Sequence, residues 1–318
     1  MKKLNLFLAK SLPFLIILTG IGTYFSPIYW QTASWVPSGL LGAVIFFAGL
    51  SMNLSDLKEI HTKKRELFLI TLFKWTLSVF VSLGLAYLFL EINREIAAGI
   101  LLSGTVPSGT AATLYTFLAG GNTSLVIAAS LLDVAISPII TPLSMLALTG
   151  SQMTISFFSL LKSFLFIVAI PLGTGLTLKN FFPKAAQHAS EMTRLGSSFA
   201  LLLIVHTIVS NGSEAISMQL KFLPLITLAA FFQVVFPMLA AYLFAKKLNI
   251  CEKDARAFLF QIGICNTALA AILAFQFIGE LAAIAPILAM VINLSVGSYI
   301  ANHFVKKDFN TIFLFTKN

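Results

Sequence analysis

Apolar residues in this chain come in long blocks, not at alternate positions or along one helical stripe. Ten blocks stand out, near residues 11–25, 35–52, 67–90, 95–118, 123–149, 156–178, 195–211, 222–245, 254–278 and 281–304. A stretch of about 20 apolar residues in a helix crosses a hydrocarbon layer of about 30 Å. The pattern predicts an all-α membrane protein with ten transmembrane helices. The blocks and their short connections fill residues 1–318 as one transmembrane domain and leave no room for a soluble one.

Composition agrees. Hydrophobic residues make up 58% and charged residues 10%, against about 25% charged in soluble proteins, and the mean hydropathy is +0.93. Thirty Phe against three Trp suit a lipid-facing surface. The net charge of +9 would suit a nucleic-acid partner, but the basic residues are sorted by loop. Lys2, Lys3 and Lys10 precede the first span, and Lys58, Lys63, Lys64 and Arg65 follow the second. Lys179, Lys184 and Arg194 follow the sixth, Lys246, Lys247, Lys253 and Arg256 the eighth, and Lys306, Lys307 and Lys317 the tenth. Loops of the other side hold only Arg94 and Lys221. The positive-inside rule then puts both termini in the cytoplasm, which requires an even number of spans. The expected partner is the lipid bilayer of a bacterial inner membrane, with no nucleic acid and a monomeric state. The amino terminus has the look of a signal peptide. Lys10 interrupts its apolar run and no small-residue cleavage site follows, so it reads as an uncleaved first helix. Cys251 lies in a basic loop and Cys265 in a span, an arrangement unsuited to a disulfide.

Shifting the sequence by 159 residues, half its length, lays the fourth span on the ninth without a gap. Ala98, Gly104, Ala111, Ala112, Leu114 and Gly120 fall on Ala257, Gly263, Ala270, Ala271, Leu273 and Gly279, and Val106-Pro107-Ser108-Gly109-Thr110 falls on Cys265-Asn266-Thr267-Ala268-Leu269. Pro107 lacks an N–H and breaks the helix, and Gly104 and Gly109 ease non-helical backbone. Ser108 and Thr110, or Asn266 and Thr267, could cap a helix restarting there. Five spans per half make the repeats, about 1–150 and 151–318, inverted, an arrangement found in secondary carriers. Two helix N-termini meeting near the midplane would attract an anion without any basic side chain. The plainer reading is a pair of kinked spans packed through small residues.

Segment 104–142, GTVPSGTAATLYTFLAGGNTSLVIAASLLDVAISPIITP, resembles the fourth and fifth spans of the bile acid/sodium symporter family, where C-P-G-G-T-A-S-N is followed by G-N and S-P-x-x-T-P. Gly49-Leu50-Ser51-Met52 with Asp56 resembles the family's G-L-x-L-x-x-x-D, and segment 261–298 resembles its ninth and tenth spans. The resemblance covers essentially the whole chain. It implies a panel domain (helices within 11–52 and 156–211) and a core domain (67–149 and 222–304), with the fourth and ninth helices broken and crossing in the core. It also implies organic-anion substrates such as bile acids or pantoate-like hydroxy acids, and driving by two sodium ions.

The chain departs from the family where that resemblance puts sodium. For one ion the family uses a Ser-Asn pair, two hydroxyls of the fifth span and a ninth-span Glu. The matching positions are Ala112-Thr113, Val126, Ser130 and Gln261, so Thr113, Ser130 and Gln261 could hold at most a residual sodium. For the second ion the family's E-x-x-x-Q-N reads Gln261-x-x-x-Cys265-Asn266, and its third-span Gln is Lys74. An ammonium there repels sodium by several kcal/mol at low dielectric. Lys74 then replaces the second sodium as a tethered cation and could exchange a proton, with its ammonium pointing to Gln261. Alternatively it snorkels to the headgroups. Asp133, the only carboxylate deep in a span, shares a helix face with Ser130 and reads either as a coupling group or as a structural hydrogen-bond partner.

The expected function is secondary active transport of a small organic anion by alternating access around the crossover. Ser108, Thr110, Asn266, Thr267 and Asn293 are the substrate-binding candidates. Lys74, Thr113, Ser130, Asp133 and Gln261 form the coupling or cation site. No cofactor is expected, and at least one sodium site is lost. A proton-coupled or uncoupled carrier of the same substrates is the alternative. An intramembrane enzyme built on Ser108 and His206, or a passive channel, is a further alternative, and Lys162 is expected to snorkel.

Overall fold

The computed structural model describes residues 2–26, 33, 35–52, 62–149 and 157–315. Asp56, Lys58 and Lys317 fall outside them. Every regular element among the described residues is a helix. Five helical stretches are long and apolar enough to span a membrane: Lys64–Phe89, Thr123–Leu148, Phe158–Phe181, Leu220–Lys247 and Leu281–Val305. Shorter apolar helices run over Ser11–Phe25, Val36–Leu50, Ser198–Asn211 and Thr267–Phe277. Phe14, Phe25, Phe80, Phe158, Phe181 and Phe199 point outward, more than 60% exposed. In water each would cost burial energy, whereas in lipid the face is solvated.

Helices α1 (Lys2–Phe25) and α2 (Val36–Ser51) come first. The third stretch is α3 (Lys64–Phe73), a wide π turn (Lys74–Ser78) and α4 (Val79–Phe89). Next come α5 (Arg94–Thr105), α6 (Thr110–Leu118) and the long α7 (Thr123–Thr149). The following stretch is α8 (Phe157–Phe164), a second π turn and α9 (Ile170–Phe181), and α10 (Pro183–Asn211) and the short α11 (Ser213–Met218) come after it. The chain continues through α12 (Leu223–Lys247), α13 (Glu252–Gly263), α14 (Thr267–Phe277) and α15 (Ile284–Phe315).

Two packing groups follow from the small residues. Helix α2 lies on α9 and α10, and α1 lies along α10. A Cβ on Gly49 would stand 2.6 Å from the Leu172 carbonyl oxygen, and one on Gly175 2.2 Å from that of Phe46, so α2 and α9 touch backbone to backbone. The second group joins α3–α7 to α12–α15, with α5 and α13 buried over nearly their whole lengths.

The loops sort by end. The Asn122 N–H donates to the Lys253 carbonyl at 2.9 Å, and Lys63 pairs with Asp254, so three basic-side loops meet at one end. Gly279 packs on Glu95 and Gly212 on Glu280 at the other. The two described glycines with positive φ, Gly120 at 64° and Gly279 at 157°, follow α6 and α14 and stand 159 residues apart.

Candidate functional site

The breaks expected at Pro107 and Asn266 are gaps between α5 and α6 and between α13 and α14. They pass each other as an isolated antiparallel bridge, Ser108 against Cys265. The Gly109 N–H donates to the Ile264 carbonyl at 3.0 Å, and the Asn266 N–H to the Pro107 carbonyl at 2.8 Å. Pro107, which can only accept on its main chain, is used as an acceptor. A Cβ on Gly109 would sit 3.1 Å from the Cys265 carbonyl oxygen, so glycine lets the two chains close. At the end of α5 the open Thr105 carbonyl accepts the Thr141 hydroxyl.

Capping differs between the breaks. Asn266 caps α14 as expected, its Oδ1 accepting the Leu269 N–H at 3.2 Å. Ser108 and Thr110 do not cap α6, whose N-cap is Gly109 with no side-chain bond. The Ser108 hydroxyl is held elsewhere, 2.7 Å from both Asp133 Oδ2 and the Gln261 carbonyl, and its N–H donates to Asp133 Oδ2 at 3.2 Å. Several N–H groups expected to be open are therefore spent in the crossover itself. Those of Thr110, Ala111 and Ala268 carry no hydrogen bond.

Asp133 is wholly buried at the centre of the polar cluster. Trp75 Nε1 donates to Oδ1 at 2.8 Å, and Gln261 Nε2 donates to Oδ2 at 3.0 Å beside the two Ser108 groups. Three of these partners can only donate, which is the surrounding of an ionised carboxylate. Ser130 Oγ donates to Gln261 Oε1 at 3.1 Å, and Thr113 is half-buried and takes no part. Of the three residues proposed for a residual sodium, two satisfy each other.

Lys74 does not snorkel. Its side chain is fully buried, and Nζ lies 2.8 Å from Cys265 Sγ rather than at Gln261. The wide turn at Lys74–Ser78 explains this, because its extra residue aims Lys74, Trp75 and Ser78 all at the crossover; Ser78 donates to the Ile262 carbonyl at 3.2 Å. Lys74 and Asp133 form no direct ion pair. The residues of the bridge, Cys265 and Ser108, stand between them.

The structure thus gathers Lys74, Ser108, Ser130, Asp133 and Gln261 into one cluster around the bridge. Thr110 is exposed at the first turn of α6. Thr267 and Asn293 are buried and line a small cavity with Ser78, Ser103, Gly104 and Gln233. Asn293 Nδ2 donates to the Cys265 carbonyl at 3.2 Å, while its Oδ1 has no partner. His206 meets Thr23 at 2.8 Å and does not pair with Ser108. Lys162 is exposed. Sequence reasoning missed Trp75, Thr141 and Gln233. A lone amide inside an apolar span, as Gln233 is, was the available signal.

At the basic-loop end, Asp254 is buried and accepts Lys63 at 2.5 Å and Asn122 Nδ2 at 2.8 Å. That hydrogen bond to Asp254 raises the Lys63 pKa above the usual lysine value. Glu252 is partly buried, which alone would raise it, but bonds from Lys246, Tyr242 and Arg256 hold it below the usual carboxylate range. These bonds lock the start of α13 to α3 and to the loop before α7.

Residues 39–219 match the Sodium Bile acid symporter family. An "Uncharacterized sodium-dependent transporter YocS" of Bacillus subtilis is 30% identical over 293 residues, 92% of this chain and 89% of its own. A "Probable sodium/metabolite cotransporter BASS1, chloroplastic" of Arabidopsis thaliana is 28% identical over 252 residues, covering 79% and 61%. "Sodium/bile acid cotransporter 7" of Rattus norvegicus is 26% identical over 172 residues, covering 52% and 50%. This multi-pass membrane protein belongs to the sodium bile acid symporter family.

Proposed function

We propose that the protein is a secondary active transporter of a small organic anion, most simply a monocarboxylate, in a bacterial inner membrane. The observation that carries this reading is the crossing of two interrupted helices at the Ser108–Cys265 bridge. It leaves the Thr110, Ala111 and Ala268 N–H groups unbonded at two helix starts, with the Thr110 hydroxyl exposed beside them. Such ends attract a carboxylate through their N–H groups and dipoles. The equal offset of the two breaks and of the two positive-φ glycines supports a five-plus-five inverted repeat of ten spans. The α1–α2–α9–α10 group is then the panel domain and the group around α5 and α13 the core, moving against each other with both termini cytoplasmic.

In this reading Lys74 takes the place of one sodium ion as a tethered cation, and Asp133 supplies the carboxylate that Gln261 lacks. Sodium dependence is therefore altered from that of the relatives named for it. Proteoliposomes loaded with unlabelled carboxylate should take up labelled carboxylate by counterflow, and Asn266→Ala, which removes the α14 cap, should cut that uptake about tenfold, the scale of a lost cap. Uptake that is only a linear leak, with no counterflow for any carboxylate in a broad panel, would falsify the carrier reading.

A further inference from the structure

Thr267, Asn293, Ser78, Ser103 and Gln233 surround a cavity on the α12 side of the crossover, away from Asp133. Most of the hydrogens of this lining are already committed elsewhere. Ser78 donates to the Ile262 carbonyl at 3.2 Å and Ser103 to the Gly99 carbonyl at 2.9 Å. Gln233 Nε2 is spent on Ser82 Oγ and on the Ile100 carbonyl, both at 2.7 Å. Asn293 Nδ2 gives one hydrogen to the Cys265 carbonyl. Oxygens are what remain: Asn293 Oδ1, buried and without a partner, Gln233 Oε1, and the lone pairs of the three hydroxyls. An orphaned buried acceptor in a folded protein calls for an absent water or ion.

The main chain adds the same sign. Gly104 near the end of α5 and Ile262 and Gly263 at the end of α13 line the cavity, so the negative ends of two helix dipoles converge on it. Pro237 also removes the N–H that a regular helix would give to the Gln233 carbonyl.

We propose that this cavity is a binding site for one sodium-sized monovalent cation, coordinated by neutral oxygens of Ser78, Ser103, Gln233, Thr267 and Asn293. A hard cation takes oxygen ligands, and half-helix C-termini are where carriers hold such ions. The site is distinct from the two sodium positions that the family resemblance implies, with which it shares only Cys265. The offset of 159 residues makes it the counterpart of the Lys74 position, since Gln233 stands 159 residues after Lys74. One half of the repeat carries a fixed ammonium there and the other an amide oxygen. Cation binding can be measured without transport, so this proposal and the carrier reading fail separately.

The test is sodium binding to the purified full-length protein, by radiolabelled sodium and by melting temperature, with choline replacing sodium at constant ionic strength. Saturable binding of about one ion is expected. Thr267→Val, which keeps shape and removes an oxygen, should weaken it about tenfold. Asn293→Asp should tighten it at least tenfold and make melting depend on sodium, because a carboxylate would otherwise face the Cys265 carbonyl. Lys74→Met should also tighten it by removing a nearby like charge. Thr177→Val, on an exposed helix face, should leave it unchanged. Loss of binding in Ser130→Ala with none in Thr267→Val would put the ion at the residual family position and overturn the proposal. Absence of sodium-specific binding, leaving a cavity for water only, would overturn it equally.

Discussion

Replacing Asp133 by asparagine changes one atom and removes the negative charge that balances Lys74. Both side chains are 0% exposed, so neither can turn to water. The amide can keep its oxygen toward Ser108 and Gln261 and turn its NH2 to Trp75, where two donors then face each other. That leaves a buried donor unsatisfied, at about 1–3 kcal/mol. The Lys74 charge also loses its counter-charge. Two charges 4 Å apart at an effective dielectric of 20 attract by about 4 kcal/mol, an upper bound for a pair the structure keeps out of direct contact. The single change should therefore cost about 3–5 kcal/mol. At about 2–4 °C per kcal/mol, the melting temperature in detergent should fall by roughly 6–20 °C. Lys74→Met in the same protein removes the stranded charge, and replacing both members of a buried pair is often close to neutral. The double variant should thus recover about 2–3 kcal/mol relative to the sum of the single changes. A cycle that closes additively, with coupling under about 0.5 kcal/mol, would show that the two charges do not sense each other.

Three further outcomes follow from the packing. Lys63→Met should lower stability by about 1 kcal/mol near neutral pH, the solvent-screened value for a partly exposed partner. Because the folded Lys63 pKa is raised by its bond to Asp254, that contribution is complete below the unfolded lysine value and vanishes as pH rises through the folded one, so parent and variant melting curves should converge only on the alkaline side of the ordinary lysine range. Gly99→Ala places a Cβ 1.9 Å from the Ala282 backbone oxygen, and an unchanged melting temperature would contradict the close approach; a loss of about 1–3 kcal/mol is expected. Thr141→Val strands the Thr105 carbonyl at the end of α5 and should cost about 1–3 kcal/mol, whereas Thr177→Val, on an exposed helix face, should be nearly silent on the same melting assay.

Helices were legible in the sequence because lipid leaves only one way to satisfy each backbone group within a segment. The break at Pro107 was legible for a related reason, since proline cannot serve a helix interior. What stayed hidden depended on side-chain direction. Lys74 had two futures, headgroup or crossover, and the choice was made by a wide turn that no local residue announces. Ser108 had a helix start to cap, but Asp133, distant in sequence, offered a charged acceptor at 2.7 Å and won. Gln233 carried no signal beyond being an amide in an apolar run. Its amide hydrogens are held by Ser82 and the Ile100 carbonyl, partners more than a hundred residues away that no local pattern reveals.

The same distribution of charge constrains what a transport cycle can carry. In the pattern implied by the family, one ninth-span carboxylate and two sodium ions leave a loaded site with net charge +1. Here Gln261 is neutral, Lys74 and Asp133 cancel, and one sodium in the Gln233 cavity again leaves +1. On the proposed reading the local balance is kept, but one of the two cations is covalently attached and cannot be delivered. Only one sodium and one monocarboxylate would then cross per cycle, with no net charge, whereas two sodium ions would carry +1. A potential of 100 mV acting on one charge is worth about 2.3 kcal/mol, or about 50-fold in accumulation. Proteoliposomes with a sodium gradient and a valinomycin-set potential should therefore accumulate carboxylate to the same level at 0 and about −100 mV, the range in which an electrogenic carrier would differ about 50-fold. Lys74→Gln combined with Gln261→Glu and Cys265→Gln restores the three missing ligands of the second ion and should bring the voltage dependence back. Voltage-driven accumulation by the unaltered protein would mean that Lys74 does not stand in for a transported ion.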